Sequence, residues 1–236
     1  MSVITPLIIV VIAALIQAFL QLTPGTFSLF YHYALGKNST KVADDFSLSF
    51  ILGVEVFLTT IWLIIYSLIF FIFCNQPSFC SEVFLWITAS IFVAEAFAFF
   101  FFYFRKGRSS SALFIPRQIA RNINARAEKI KTRSDAFTLG FATGSLELIF
   151  TLPLYIISIV ELMRISAFPR IIAIIFYIII ATLPLFSIRN LYRTGHNLAE
   201  ITRSRIRAKT FLRLSISLGF LLLAFIIITS GAFHHG

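Results

Sequence analysis

Apolar positions run along this chain for about twenty residues at a time, with short polar stretches between the runs. The runs cover residues 3–22, 47–73, 82–104, 137–162, 169–188 and 211–231. A helix needs roughly 20 apolar residues to cross a hydrocarbon core of about 30 Å, so the pattern predicts six spans. The block 105–136 between the third and fourth runs is polar and basic. It divides the chain into a three-span half, 1–104, and a second three-span half, 137–236.

Two of the runs carry residues that helices in lipid tolerate poorly. The first ends in "LQLTPGTFSLFYHYALGK", with Pro24 and Gly25 between Thr23 and Thr26. The fourth contains "ATGSLELIFTLPLYIISI", with Glu147, Thr151, Pro153 and Tyr155. Each pairs a threonine with a nearby proline and then continues through mainly apolar residues to a basic one, Lys37 or Arg164. The first and fourth helices are therefore expected to be broken. Three spans per half bring the second half into the membrane from the opposite side, so any repeat is of the inverted type. Matched interruptions in two such halves point to a transport site at the repeat interface. The alternative is a pair of packing kinks, with neighbouring helices satisfying the freed carbonyls. Gly140 and Gly144 form a small-xxx-small pair and read as close helix packing.

Composition agrees with the span pattern. Of 236 residues, 58% are hydrophobic and 13% charged, with a mean hydropathy of +0.92; a soluble domain has about 25% charged residues. The first twenty residues lack a basic leader and a small-residue cleavage motif, so they read as a retained span.

Charge orients the spans. The net charge is +10, and the Lys and Arg gather between Arg105 and Arg133 and between Arg189 and Arg213. By the positive-inside rule both blocks lie in the cytoplasm, which puts both termini outside. The loop "CNQPSFC" is then also outside, where an oxidising environment would let Cys74 and Cys80 pair as a disulfide; two unpaired thiols are the alternative.

In the first block Ile115, Ile119, Ile123 and Ile130 recur at helical spacing, with Arg117, Arg121 and Arg126 among the other positions. This predicts a surface helix on the inner leaflet whose basic side contacts anionic headgroups, or a linker that only fixes topology. Nucleic acid is not the expected partner. The second block is also expected to contain a helix, with Leu198, Ile201 and Ile206 as apolar contacts and a bend or start at Gly195 and His196. His196 reads as a solvated loop residue.

Carboxylates inside the runs are the remaining chemistry. Glu55, Glu95, Glu147 and Glu161 each sit where insertion of a charge costs about 2.5–3.5 kcal/mol, so each needs water, a partner or the bundle interior. Glu161 and Arg164 are three residues apart and read as an interfacial ion pair. Glu55 and Glu95 lie at similar depths, and one cavity would hold both. His32 is the one histidine near the candidate site, at the inner face, either as a headgroup contact or as an ordinary interfacial residue. Nucleophile motifs, a glycine-rich phosphate loop and a Cys/His metal cluster are not found, so an enzyme, a cofactor and a metal site are not expected.

On these residues the chain resembles the LysE-type exporter superfamily. "LTPGTFSLFYHYALGK" is similar to its first-half motif, and "GSLELIFTLPLYIISI" is similar to the Glu-x-x-x-x-x-Pro-x-Tyr region of its glycolipid-addressing branch, the peptidoglycolipid exporters. The resemblance covers the architecture of most of the chain, with motifs of modest specificity. It implies export or flipping of a substrate, with Pro24, Gly25, Glu147, Pro153 and Tyr155 in or beside the pathway. The superfamily's thiol-disulfide carriers hold reactive cysteines within the first and fourth spans; this chain has none there.

The expectation is an all-α polytopic protein of a prokaryotic inner membrane, six helices as a 3+3 inverted repeat, exporting or flipping an amphiphilic or lipid-linked substrate. A proton-coupled exporter of a small solute, an amino acid or a cation, is the alternative. Partners are membrane lipids and the substrate, and a homodimer is compatible with the pattern. The substrate-binding set is Thr23, Pro24, Gly25, Thr26, His32, Glu55, Glu95, Glu147, Thr151, Pro153 and Tyr155.

Overall fold

The computed structural model describes residues 4–20, 22–37, 39–75, 82–103, 123, 125–195 and 198–232. No strand occurs among them. The long helices among the described residues are, in order, α1 (Ile4–Phe19), α2 (Leu22–Lys37), α3 (Thr40–Asn75), α4 (Glu82–Ala98), α5 (Arg133–Met163), α6 (Ala167–Arg193) and α7 (Leu198–Ala232).

The first run is two helices. α1 and α2 have 16 residues each and meet at an angle of 44°. Each is about 24 Å long, short of the hydrocarbon thickness, so neither is a full span by itself. The chain breaks at Leu20, where the backbone closes on Gln17, rather than between Thr23 and Thr26. Thr23 and Pro24 instead form the first turn of α2. Proline suits that turn because its missing N–H would be unpaired there anyway.

α5 begins earlier than its apolar run, at a capping box in which Thr132 and Asp135 exchange side-chain and backbone bonds. It bends by 79° between Leu148 and Phe150. Pro153 explains the place, since a proline ring clashes with the carbonyl four residues back, that of Ile149. The C-terminus of α5 is closed by Arg170 of α6, whose guanidinium donates to the carbonyls of Leu162, Met163 and Ile165 and to the Tyr66 hydroxyl. Glu161 and Arg164 make the expected ion pair at 3.1 Å.

The other helices extend beyond their apolar runs. α3 starts at Thr40 and takes in Asp44 and Asp45. The second basic block does hold a helix: α7 starts at Leu198 and runs on into the last apolar run, after a turn in which Gly195 takes a left-handed conformation (φ 90°) that glycine adopts freely. His196 lies outside the described residues. α4 runs on into a π-helical turn, Phe99–Tyr103. Of the expected inner-leaflet helix, residues 125–129 are helical, with Ala127 buried and Arg126 exposed; Arg117 and Arg121 lie outside the described residues. Of the expected cysteine pair, Cys74 falls in the last turn of α3 and Cys80 lies outside them as well.

Among the described residues three helices are long and apolar enough to cross a membrane, up to five spans if each bent pair counts as one, and α4 contributes a shorter apolar helix. Large apolar side chains point outward, among them Leu63, Phe71, Ile175 and Phe225. That surface is consistent with a membrane protein, because lipid tails do not penalise it.

Packing pairs the helices across the midpoint of the chain. α3 lies along α5, α6 lies against α1 and α2, α4 packs on α7, and α1 also touches α5. Close approach of α3 and α5 is made by glycine. A Cβ on Gly53 would meet the Phe137 carbonyl oxygen at 2.1 Å, and one on Gly140 would meet that of Phe50 at the same distance. Gly144 makes room for the Phe57 ring.

Candidate functional site

The two helix breaks meet. Glu147 stands on α5 just before the bend, in a residue only 7% exposed, and its Oε1 accepts the backbone N–H of Thr23 at 2.7 Å. Thr23 sits in the first turn of α2, where backbone N–H groups have no partner within the helix and the positive dipole end favours an anion. The carboxylate of one break therefore completes the helix terminus of the other. A cavity of about 20 Å³ opens beside this contact, lined by Gln17, Thr23, Pro24, Val54, Gly144 and Glu147 among others. That is room for about one water molecule.

A buried amide extends the polar region away from α2. Gln17, in the last turn of α1, donates Nε2 to the Tyr155 hydroxyl at 2.8 Å and accepts from the Tyr177 hydroxyl. Both tyrosines are fully buried. Trp62 packs edge-on against them, its ring centre 5.9 Å from Tyr155 and 5.1 Å from Tyr177.

Tyr177 also borders a second, larger space. A groove of about 330 Å³ lies between the first half of α1 and the first half of α6, lined by Leu7, Val10, Val11, Phe168, Ile172 and Tyr177 among others. Its walls are hydrocarbon and aromatic side chains. Tyr177 thus joins an apolar groove to Gln17, and Gln17 lines the polar cavity.

At the other end of α6 the way is closed by charge. Arg189 forms a two-pronged bond to Asp44 at 3.1 and 2.9 Å, Arg193 lies 3.6 Å from the same carboxylate, and Tyr31 donates to it at 2.9 Å. On α2, one turn nearer the cavity than Tyr31, the Ser28 carbonyl accepts from the Tyr192 hydroxyl at 2.9 Å. These contacts tie α2, α3 and α6 together at the basic end of the bundle.

The structure brings together Thr23, Pro24, Glu147, Thr151 and Tyr155 of the expected set. Thr151 bonds the Glu147 carbonyl at 3.2 Å, and Thr26 is buried on α2. Gly25 and Pro153 are half-buried beside their breaks.

Glu55, Glu95 and His32 do not join the site. On α3 it is Val54 and Leu58 that face the cavity; Glu55 lies about 100° round the helix from Val54. Glu95 is on α4, which packs on α7, and its Oε2 is buried without a hydrogen-bond partner. Among the described residues α3 and α4 make no extended contact, and the cavity beside Glu147 is lined by neither Glu55 nor Glu95. His32 is nine residues beyond Thr23, on the opposite face of α2, and is exposed.

Gln17, Tyr177, Asp44 and Arg189 were missed. Gln17 had a signal: it is the single amide in α1. Among the described residues no three His, Cys, Asp or Glu side chains gather as metal ligands.

Fold and site together define a helical protein, suited by its spans and apolar exterior to a membrane, with a polar centre where two interrupted helices touch. No family model, no curated protein and no solved structure matches the chain.

Proposed function

We propose that the protein is a membrane transporter that exports or flips an amphiphilic or lipid-linked substrate through the site between its two halves. The observation that carries this reading is the apolar groove bordered by Tyr177, whose partner Gln17 lines the polar cavity. A tail and a head have separate, adjoining places.

The helix pairing supports the inverted repeat. If α1 with α2 is exchanged for α5, α3 for α6 and α4 for α7, the contact of α3 with α5 becomes that of α6 with α1 and α2, while α4–α7 and α1–α5 map onto themselves. Six spans, with α4 as the short third one, keep both termini on the face opposite the basic residues. The Asp44–Arg189 end is then the cytoplasmic one, closed here, and the groove lies toward the outside. That is the posture of an exporter ready to release.

The small polar cavity favours a second reading, a proton-coupled exporter of a small solute, because a buried carboxylate lines it and it has room for about one water. Native mass spectrometry after gentle extraction separates the two. The amphiphile reading expects retained lipid-like molecules in the wild type and fewer in Val11→Trp, which fills the groove from a partly exposed position. Absence of any retained amphiphile, or equal retention in Val11→Trp, refutes it.

A further inference from the structure

Thr23 brings two donors to one point. Its N–H, in the first turn of α2, is taken by Glu147. Its hydroxyl belongs to a residue 4% exposed, lies at the cavity wall and has no hydrogen-bond partner. A buried donor without an acceptor is costly and rare in folded proteins. The helix terminus adds a positive dipole end that favours an anion over a cation.

Glu147 therefore uses the backbone part of an anion site and leaves the side-chain donor idle. We infer that the N-terminus of α2 binds the anionic head of an amphiphile, a phosphate ester or a carboxylate, and that Glu147 holds the place of that head when it is absent. The inference rests on the amphiphile reading and adds the charge of the head. The volume makes it an exchange. A cavity of about 20 Å³ takes one water and no phosphate, so the head enters as the Glu147 carboxylate gives up the Thr23 N–H. In that position the head receives both Thr23 donors, and the Gln17–Tyr177 pair stands between it and the groove that takes the tail.

The test uses the full chain in nanodiscs of zwitterionic lipid, with dodecyl phosphate, dodecanoate, dodecyltrimethylammonium and a neutral dodecyl glycoside as probes. Binding is read from the fluorescence of Trp62 in a Trp86→Phe background, Trp62 being packed against Tyr155 and Tyr177. The two anionic probes bind more tightly than the cationic and neutral ones, and whichever is tighter identifies the head as phosphate or carboxylate. Glu147→Gln removes the competing charge and tightens anionic probes roughly threefold to thirtyfold, leaving the neutral one unchanged. Thr23→Val keeps the shape, removes the idle donor and weakens anionic probes by about tenfold or more. Binding that is independent of head charge, or insensitive to both variants, overturns the inference while leaving the amphiphile reading intact. If no probe of any charge binds, both fall.

Discussion

Replacing Gln17 with leucine tests the link between groove and cavity. Leucine keeps most of the side-chain volume and removes both hydrogen bonds of the amide. The Tyr177 hydroxyl, in a fully buried residue, then has nothing to donate to, and Tyr155 loses the Gln17 donor. Hydrogen bonds between membrane helices contribute about 0.6 kcal/mol on average and up to about 1.7 each, so two of them predict a loss of about 1–3 kcal/mol. Tyr177→Phe alone removes one bond and should cost about 1 kcal/mol. The double variant Gln17→Leu with Tyr177→Phe leaves no orphaned hydroxyl at position 177, and its loss should be smaller than the sum of the singles by about 1 kcal/mol. The assay is reversible unfolding in mixed micelles, each variant titrated with denaturing detergent. Strict additivity of the two substitutions, or wild-type stability in Gln17→Leu, would refute the placement of Gln17 between the tyrosines.

Other expectations follow from contacts of known geometry. Gly140→Ala and Gly53→Ala each force a Cβ against a carbonyl oxygen at 2.1 Å, so α3 and α5 must separate; each should lose about 1–3 kcal/mol in the same unfolding assay, and a neutral outcome for both would contradict the close crossing. Asp44→Asn leaves Arg189 and Arg193 without their carboxylate in a half-buried place and should cost about 1–3 kcal/mol, whereas Asp45→Asn breaks only the exposed pair with Arg133 and should stay within about 0.5 kcal/mol. Reversal of that order would show that the Asp44 cluster does not close the basic end. Glu147→Gln keeps an acceptor for the Thr23 N–H and should fold normally, yet lose substrate flux in proteoliposomes. Flux equal to wild type would remove Glu147 from the mechanism.

How far the sequence could be read depended on which physical rule each feature obeys. Pro24 and Pro153 declare themselves, because a ring without an N–H disturbs a helix at a definable distance; the bend at Ile149 is four residues before Pro153. The first break fell earlier than expected because Pro24 starts a helix and does not end one. Depth in the membrane was a poor guide to Glu55 and Glu95. Depth carries no information about helix phase, and one residue of phase separates Glu55 from the cavity-facing Val54. Asp44 was read as outside the second span because hydropathy falls off before residue 47, while the backbone stays helical back to Thr40. Gly140 was legible as a packing residue, but its partner Gly53 was not, since contact between distant helices leaves no local pattern.

The contact of Thr23 with Glu147 has a mechanical consequence beyond its strength. One end belongs to the first turn of α2, just after a 44° break; the other stands two residues before the site of a 79° bend in α5. The Thr23–Glu147 hydrogen bond therefore joins two places where helix direction changes. Rigid helices transmit displacement, and breaks are where displacement begins. When the Thr23 N–H passes from Glu147 to another acceptor, α2 loses this tether to α5, and more of the hold on it falls to the Ser28–Tyr192 and Tyr31–Asp44–Arg189 contacts further along α2. Loss of Glu147 as acceptor at one break should thus loosen the closed basic end about 12 Å along the helix, the distance from Thr23 to Tyr31 at 1.5 Å per residue. Hydrogen exchange of the α2 amides is the observable: in Glu147→Ala, which removes the acceptor, protection should fall from Phe27 through Ala34. Faster exchange confined to Thr23 and Gly25 would show that the two ends of α2 move independently.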